Sequence, residues 1–154
     1  MLDTNVFNAV LDGKISLASF DGCRVLVIGV QADELHSTKN AERRASLLAK
    51  FEEIHPTRML ASSFCFGIES AGFDQANWND GSGNFDRMLA RLQRLDAKKK
   101  RRKRTKEEEE LNQLRDVLIA ETAVKNGAIL VTGDSNLRQV VSEFGGRAID
   151  FSSL

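Results

Sequence analysis

Unbroken apolar runs alternate along this chain with stretches where apolar residues recur every three or four positions, and the two rhythms predict different elements. Met1 and Leu2 read as the end of a strand, after which Thr4 and Asn5 supply cap chemistry for a short helix over 6–11 that Gly13 ends. Residues 24–30 predict a strand buried on both faces, the pattern of a parallel sheet. A helix over about 31–54 follows, with Ala41, Ala45, Leu48 and Phe51 on one stripe. His55-Pro56 stops it, because proline disfavours helical geometry in the residue before it.

Residues 57–97 are the least legible. An apolar patch at 64–68 precedes a polar loop over 74–84 that carries Trp78, and 85–96 shows a helical stripe at Phe85, Met88, Leu89, Leu92 and Leu95. Further on, 111–125 predicts a helix ended by Asn126-Gly127, 128–132 a buried strand, 136–144 a helix ended by Gly145-Gly146, and 148–151 a last strand. This alternation predicts an α/β fold, a three-layer α/β/α sandwich with a mostly parallel central sheet. The expected organisation is one domain over 1–154 with a helical, charged insertion at about 57–110.

Charge changes the picture locally. The 22 basic and 22 acidic residues of the 154-residue chain cancel, so affinity for nucleic acid must come from clustering and not from a global field. Residues 98–106 hold eight basic side chains and one threonine, and four glutamates follow. Lys99, Arg101, Arg102 and Arg104 are therefore the candidate nucleic-acid contacts, with a solvated charged helix as the plainer reading and an import signal as a third. Cys23 and Cys65 lack zinc-site spacing and read as buried free thiols. No apolar stretch is long enough for a transmembrane helix, and no basic-then-apolar leader opens the chain, so a soluble cytoplasmic protein is expected.

Four acids sit where chemistry is expected. Asp3 leaves the first strand, Glu34 lies just past the second, and Asp134 just past the strand at 128–132; this is the carboxyl edge of a parallel sheet, where such folds build their sites. Asp116 arrives from the opposite direction. The 11 residues from Asp116 to Asn126 rise about 16 Å, the length of a five-residue strand, so its helix brings it back to the same edge. Four clustered carboxylates repel one another unless protons or cations neutralise them, and an all-oxygen set suits Mg2+ or Mn2+. Asn5, Thr132 and Ser135 are neutral groups on the same loops that can orient carboxylates or bound water. The competing reading is local: Asp3 and Asp134 can simply cap helices, and Glu34 can be a solvated helix acid. Asp116 resists that reading, since its helix is apolar on most faces and a carboxylate there needs a partner.

The order of these motifs, Asp3-Thr4-Asn5, Glu34 early in the helix after a buried strand, Asp116 shortly before Leu118-Ile119-Ala120, and Thr132-Gly133-Asp134, resembles the PIN-domain ribonucleases over 1 to about 53 and 111–151. The resemblance implies a metal-dependent endoribonuclease, most often the toxin of a VapBC-type toxin–antitoxin pair and commonly a homodimer. It matches Asp3, Glu34, Asp116 and Asp134 to the acidic quartet and metal ligands, and Asn5 and Thr132 to its neutral neighbours. Many members carry a further acid shortly after the last aspartate, where this chain has Ser135, Asn136, Leu137 and Arg138, so one metal ion or two remains open. Asp116 follows Glu34 by 82 positions, more than a compact toxin needs, which keeps a housekeeping RNA-processing nuclease as an alternative. A non-catalytic RNA-binding or protein-interaction domain on the same fold is the third reading.

Overall fold

The computed structural model describes residues 1–78, 81–98 and 105–154. Lys99, Arg101, Arg102 and Arg104 lie outside the described residues. In chain order the elements are α1 (Thr4–Leu11), β1 (Leu26–Val27), α2 (Gly29–His36), α3 (Ala41–Glu53), β2 (Thr57–Arg58), α4 (Asn84–Asp96), α5 (Lys106–Lys125), β3 (Ile129–Val131), α6 (Ser135–Glu143) and β4 (Arg147–Ile149).

The expected three-layer sandwich around a central sheet is not what forms. The described residues are mostly helical, and the strands make two separate two-stranded parallel sheets, β1 with β2 and β3 with β4. Leu2 stands between them, bridging in parallel to Val131 and donating its N–H to the Leu26 carbonyl at 3.0 Å. The apolar run at 24–30 yields only a two-residue strand because the chain turns helical at Gly29. Gln31 drives that turn: its Oε1 accepts the Ile28 N–H at 3.0 Å, and its amide donates to the Leu2 carbonyl at 2.8 Å. A buried glutamine satisfied on both sides fixes where the helix starts.

The long helix expected over 31–54 is also divided. Four polar residues, Ser37 to Asn40, separate α2 from α3, and the Asn40 side chain accepts the Arg43 N–H at 2.8 Å to cap the second piece. The strand expected at 148–151 is shorter, with Phe151 beginning a final 3-10 turn.

Strand residues alternate between two cores. Leu2, Val27 and Val131 face the cluster built on α1 and α3, around Val6, Phe7, Val10, Leu47 and Phe51. Met1, Ile28 and Leu130 face the cluster of α4, α5 and α6, which includes Met88, Leu92, Val117, Leu118, Ile119, Leu137 and Val140. The part of the chain expected as an insertion therefore supplies β2, paired to β1, and the apolar stripe of α4, packed into the second core. Between them Phe64, Phe66, Phe73 and Trp78 form a ring cluster, with Phe64 and Trp78 stacked at 5.6 Å and Phe66, Phe73 and Trp78 exposed. Cys65 is buried as expected; Cys23 is exposed. No helix among the described residues is long and apolar enough to cross a membrane.

Gly29 sets the position of α2, and hence of Glu34. A Cβ at Gly29 would lie 2.6 Å from the Ser70 Cβ and 3.3 Å from its carbonyl oxygen. Gly29→Ala is expected to destabilise by about 1–3 kcal/mol, the usual range for overpacking. Thermal denaturation checks this: a midpoint lowered by several degrees agrees with the packing, and an unchanged one contradicts it.

Candidate metal centre

Asp3 is the N-cap of α1. One carboxylate oxygen accepts the Thr4 N–H at 2.7 Å, and the other accepts the Asn5 amide and the Thr132 hydroxyl, each at 2.5 Å. Thr132 is a junction: its oxygen also accepts the Asn5 amide at 3.1 Å and the Asp134 N–H at 3.0 Å. Asn5 returns its carbonyl oxygen to the Gly133 N–H at 3.1 Å. The start of the chain and the loop after β3 are thus locked by one polar network around a buried carboxylate.

Asp134 caps α6 by accepting the Asn136 N–H at 2.7 Å and the Leu137 N–H at 3.2 Å. Glu34 leans from α2 to accept the Thr4 hydroxyl. The capping reading of Asp3 and Asp134 therefore holds in the structure, and it does not exclude the cluster. A cavity of about 210 Å3 is lined by Asp3, Thr4, Asn5, Asn8, Glu34, Asn112 and Asp116, so α1, α2 and α5 all present polar groups to one space. Asp134 is not on its wall, yet its charge acts on both Asp3 and Asp116.

The electrostatics record that crowding. Burial pushes the Asp3 carboxyl up to about 6; the Thr132 hydroxyl opposes this, the Glu34 charge adds to it, the Thr4 N–H opposes it, and Asp134 adds to it. Asp116 is raised well above the ordinary carboxylate range, by burial first and then by the charges of Asp3, Glu34, Asp134 and Asp96. Asp116 makes no hydrogen bond through its side chain among the described residues, which leaves nothing local to offset the burial and the repulsion.

Among the described residues, no three His, Cys, Asp or Glu side chains close on one point as a preformed metal group. The acids share a cavity without converging, the arrangement expected of carboxylates that repel one another. The donor set is nonetheless all oxygen, from carboxylates, a hydroxyl and amides, and it suits a hard divalent cation that would relieve the raised proton affinity of Asp3 and Asp116. Asp3, Glu34 and Asp116 would hold it, with Asp134 adding negative charge nearby.

Of the neutral groups expected to help, Asn5 and Thr132 are central to the network. Ser135 is exposed at the start of α6, away from the cavity wall. Sequence reasoning missed Asn8, Asn112 and Asp96. Asn8 follows Thr4 by one helical turn and Asn112 precedes Asp116 by one, so the i,i+4 spacing was a usable signal for both. Asp96, at the end of α4, accepts Gln113 at 2.9 Å and Asn136 at 2.7 Å, tying α4 to the helices that carry Asp116 and Asp134. Nothing local in the sequence marks it. Comparison with protein-family models, with curated proteins and with solved structures gives no match.

Proposed function

We propose that this chain is a Mg2+- or Mn2+-dependent endoribonuclease that hydrolyses RNA phosphodiester bonds, acting in the cytoplasm as the toxin of a toxin–antitoxin pair. The observation that carries the nuclease reading is the one cavity faced by Asp3, Glu34 and Asp116 from three helical segments, with Asp3 and Asp116 each raised in pKa by burial first and then by neighbouring acids. The toxin reading, with its antitoxin partner and homodimer, rests on the motif resemblance alone.

When bound, a divalent cation supplies an acidified water and neutralises charge building on the phosphate. The chain's own part is positioning. Thr132 and Asn5 fix the Asp3 carboxylate, the Thr4 hydroxyl fixes Glu34, and two backbone N–H groups fix Asp134, so three of the four acids are held before substrate arrives. Asn8 and Asn112 offer amide donors on the cavity wall for phosphate or ribose oxygens. Lys99, Arg101, Arg102 and Arg104 precede α5 in the chain and supply the phosphate-binding charge in this proposal.

The test is cleavage of single-stranded RNA by purified protein across a titration of Mg2+ and Mn2+, with chelator as control. Cation-dependent cutting is expected. RNA bound without cutting at any cation concentration would make the chain a binding domain. Growth arrest on induction, relieved by Asp116→Asn, separates the toxin from an RNA-processing nuclease.

A further inference from the structure

A second polar cavity, of about 430 Å3, lies along α2. Gly29, Ala32 and Asp33, spaced three and four residues apart, turn one face of that helix to it, while Glu34 lines the cavity of the acids. Neighbouring residues on one helix thus serve two separate spaces. Arg58 of β2 and Glu69, Ser70, Phe73 and Gln75 of the segment before α4 complete the wall.

The charges around this cavity do not neutralise one another. Arg58 lines it together with Asp33 and Glu69 yet forms an ion pair with neither; its guanidinium stands over the Phe51 ring at 5.6 Å and reaches Glu52 only at 3.9 Å. The Asp33 and Glu69 carboxylates accept no hydrogen bond among the described residues, although Asp33 is half-buried. Ser70 is nine-tenths buried at the same wall, and its hydroxyl has no partner among the described residues, a state that native structures rarely leave unexplained. Phe73 leans on Phe64 at 5.2 Å and on Trp78 at 5.9 Å, both edge to face, and stays 72% exposed. A ring held in this way and still open to solvent is a stacking surface.

We infer that this cavity binds a guanine base of single-stranded RNA. Opposite charges held apart beside an aromatic ring match a rigid plane with donors on one edge and acceptors on another. Guanine offers a carboxylate two neighbouring donors, N1–H and the N2 amine, and offers a guanidinium two neighbouring acceptors, O6 and N7, the commonest specific base contact of arginine. Adenine and cytosine set an acceptor beside their amine, and uracil has a single donor, so none gives the carboxylate the same pair. Asp33, the less exposed of the two acids, takes the donors, Arg58 the acceptors, and Phe73 the face of the ring. That the base belongs to RNA rests on the proposed nuclease. Because Asp33 and Glu34 adjoin on α2, a strand crossing that helix sets a guanosine in this cavity and a nearby phosphate at the acids.

The experiment titrates the full chain, with chelator present, with the 5′-monophosphates of guanosine, adenosine, cytidine and uridine, which share one phosphate and differ in the base. Trp78 is the chain's one tryptophan and stands beside Phe73, so its fluorescence reports a base stacked there. Guanosine monophosphate is expected to quench it with a half-saturation at least about tenfold below those of the other three, and Asp33→Asn and Arg58→Gln should each weaken it by about tenfold. No quenching by guanosine monophosphate, equal half-saturation for all four, or binding unaltered in both variants would each overturn the inference. Stronger quenching by acetyl-arginine amide would overturn it in favour of a cationic peptide partner, which acids and rings also attract. Guanosine monophosphate bound selectively by a chain that cuts no RNA would support the cavity and overturn the nuclease alone.

Discussion

Asp116→Asn is expected to remove RNA cleavage and to stabilise the fold in the same protein. Loss of cleavage by roughly a hundredfold or more, about 2.7 kcal/mol of barrier, follows if the carboxylate holds the cation. The stability gain has a separate cause. Asp116 is held well above the ordinary range by burial and by four neighbouring acids, and among the described residues its side chain accepts no hydrogen bond that asparagine would forfeit. An acid whose folded pKa is raised binds more protons in the folded than in the unfolded state, so stability falls as pH climbs from the unfolded value of about 4 towards the folded one. Asparagine abolishes that loss. The variant should match the parent near pH 4 and exceed it increasingly as pH rises, which denaturant unfolding at several pH values will show. Full cleavage by the variant would remove Asp116 from the reaction, and a stability difference independent of pH would remove the charge argument.

Asp3 does not share this behaviour. Its carboxylate accepts Asn5 and Thr132 on one oxygen, and an asparagine amide placed there would set donor against donor. The simple expectation that removing any one acid relieves repulsion therefore applies to Asp116 and fails for Asp3, where losing the polar network outweighs the repulsion relieved.

A second large effect is expected from adding a divalent cation. Protons and cation compete for the same oxygens, and Asp3 titrates at about 6 with Asp116 also raised. Saturating Mn2+ should accordingly move the melting midpoint little at pH 5 and strongly at pH 8. At a hundred times the dissociation constant the stabilisation is about 2.7 kcal/mol, or roughly 5–10 °C for a chain of this size. Differential scanning fluorimetry at the two pH values decides the matter. Equal shifts at both would show that the cation binds elsewhere.

Helices with an apolar stripe and a clean stop were legible in the sequence. The stripe at 85–96 became Asn84–Asp96, and the helix expected to end at 125 does so. Its start was misplaced by the charge run: Thr105 and Glu108 form a reciprocal cap, and three glutamates in the first turn favour the helix N-terminus, so α5 begins at Lys106 and not at 111. Strands were over-read, since residues 25–30 are apolar for two reasons at once. Leu26 and Val27 pair with β2, whereas Val30 belongs to the buried face of α2. Hydrophobicity alone does not separate those uses, and the buried Gln31 that does so reads as an ordinary polar residue.

The acids were legible because Asp3 and Asp134 sit at caps and Asp116 in an apolar helix. Asp3, Glu34 and Asp116 line one cavity, although the five-residue strand and central sheet on which the length match relied do not form. Asp96 was not legible, because its approach depends on how α4 packs against α5 and α6, a long-range contact with no local signature. Ser135 was over-read: standing beside Asp134 in sequence does not turn it towards the cavity when Asp134 is the cap and the helix rotates the next side chain outward.

Calorimetric titration of Mn2+ into the purified chain and into Asp116→Asn at pH 7.5 tests most directly whether these carboxylates act together on a cation. The parent should bind with measurable affinity and the variant at least about tenfold more weakly, since one ligand charge has been removed without disturbing the Asp3 network. Identical isotherms, or no binding by the parent, would contradict the metal centre and with it the nuclease.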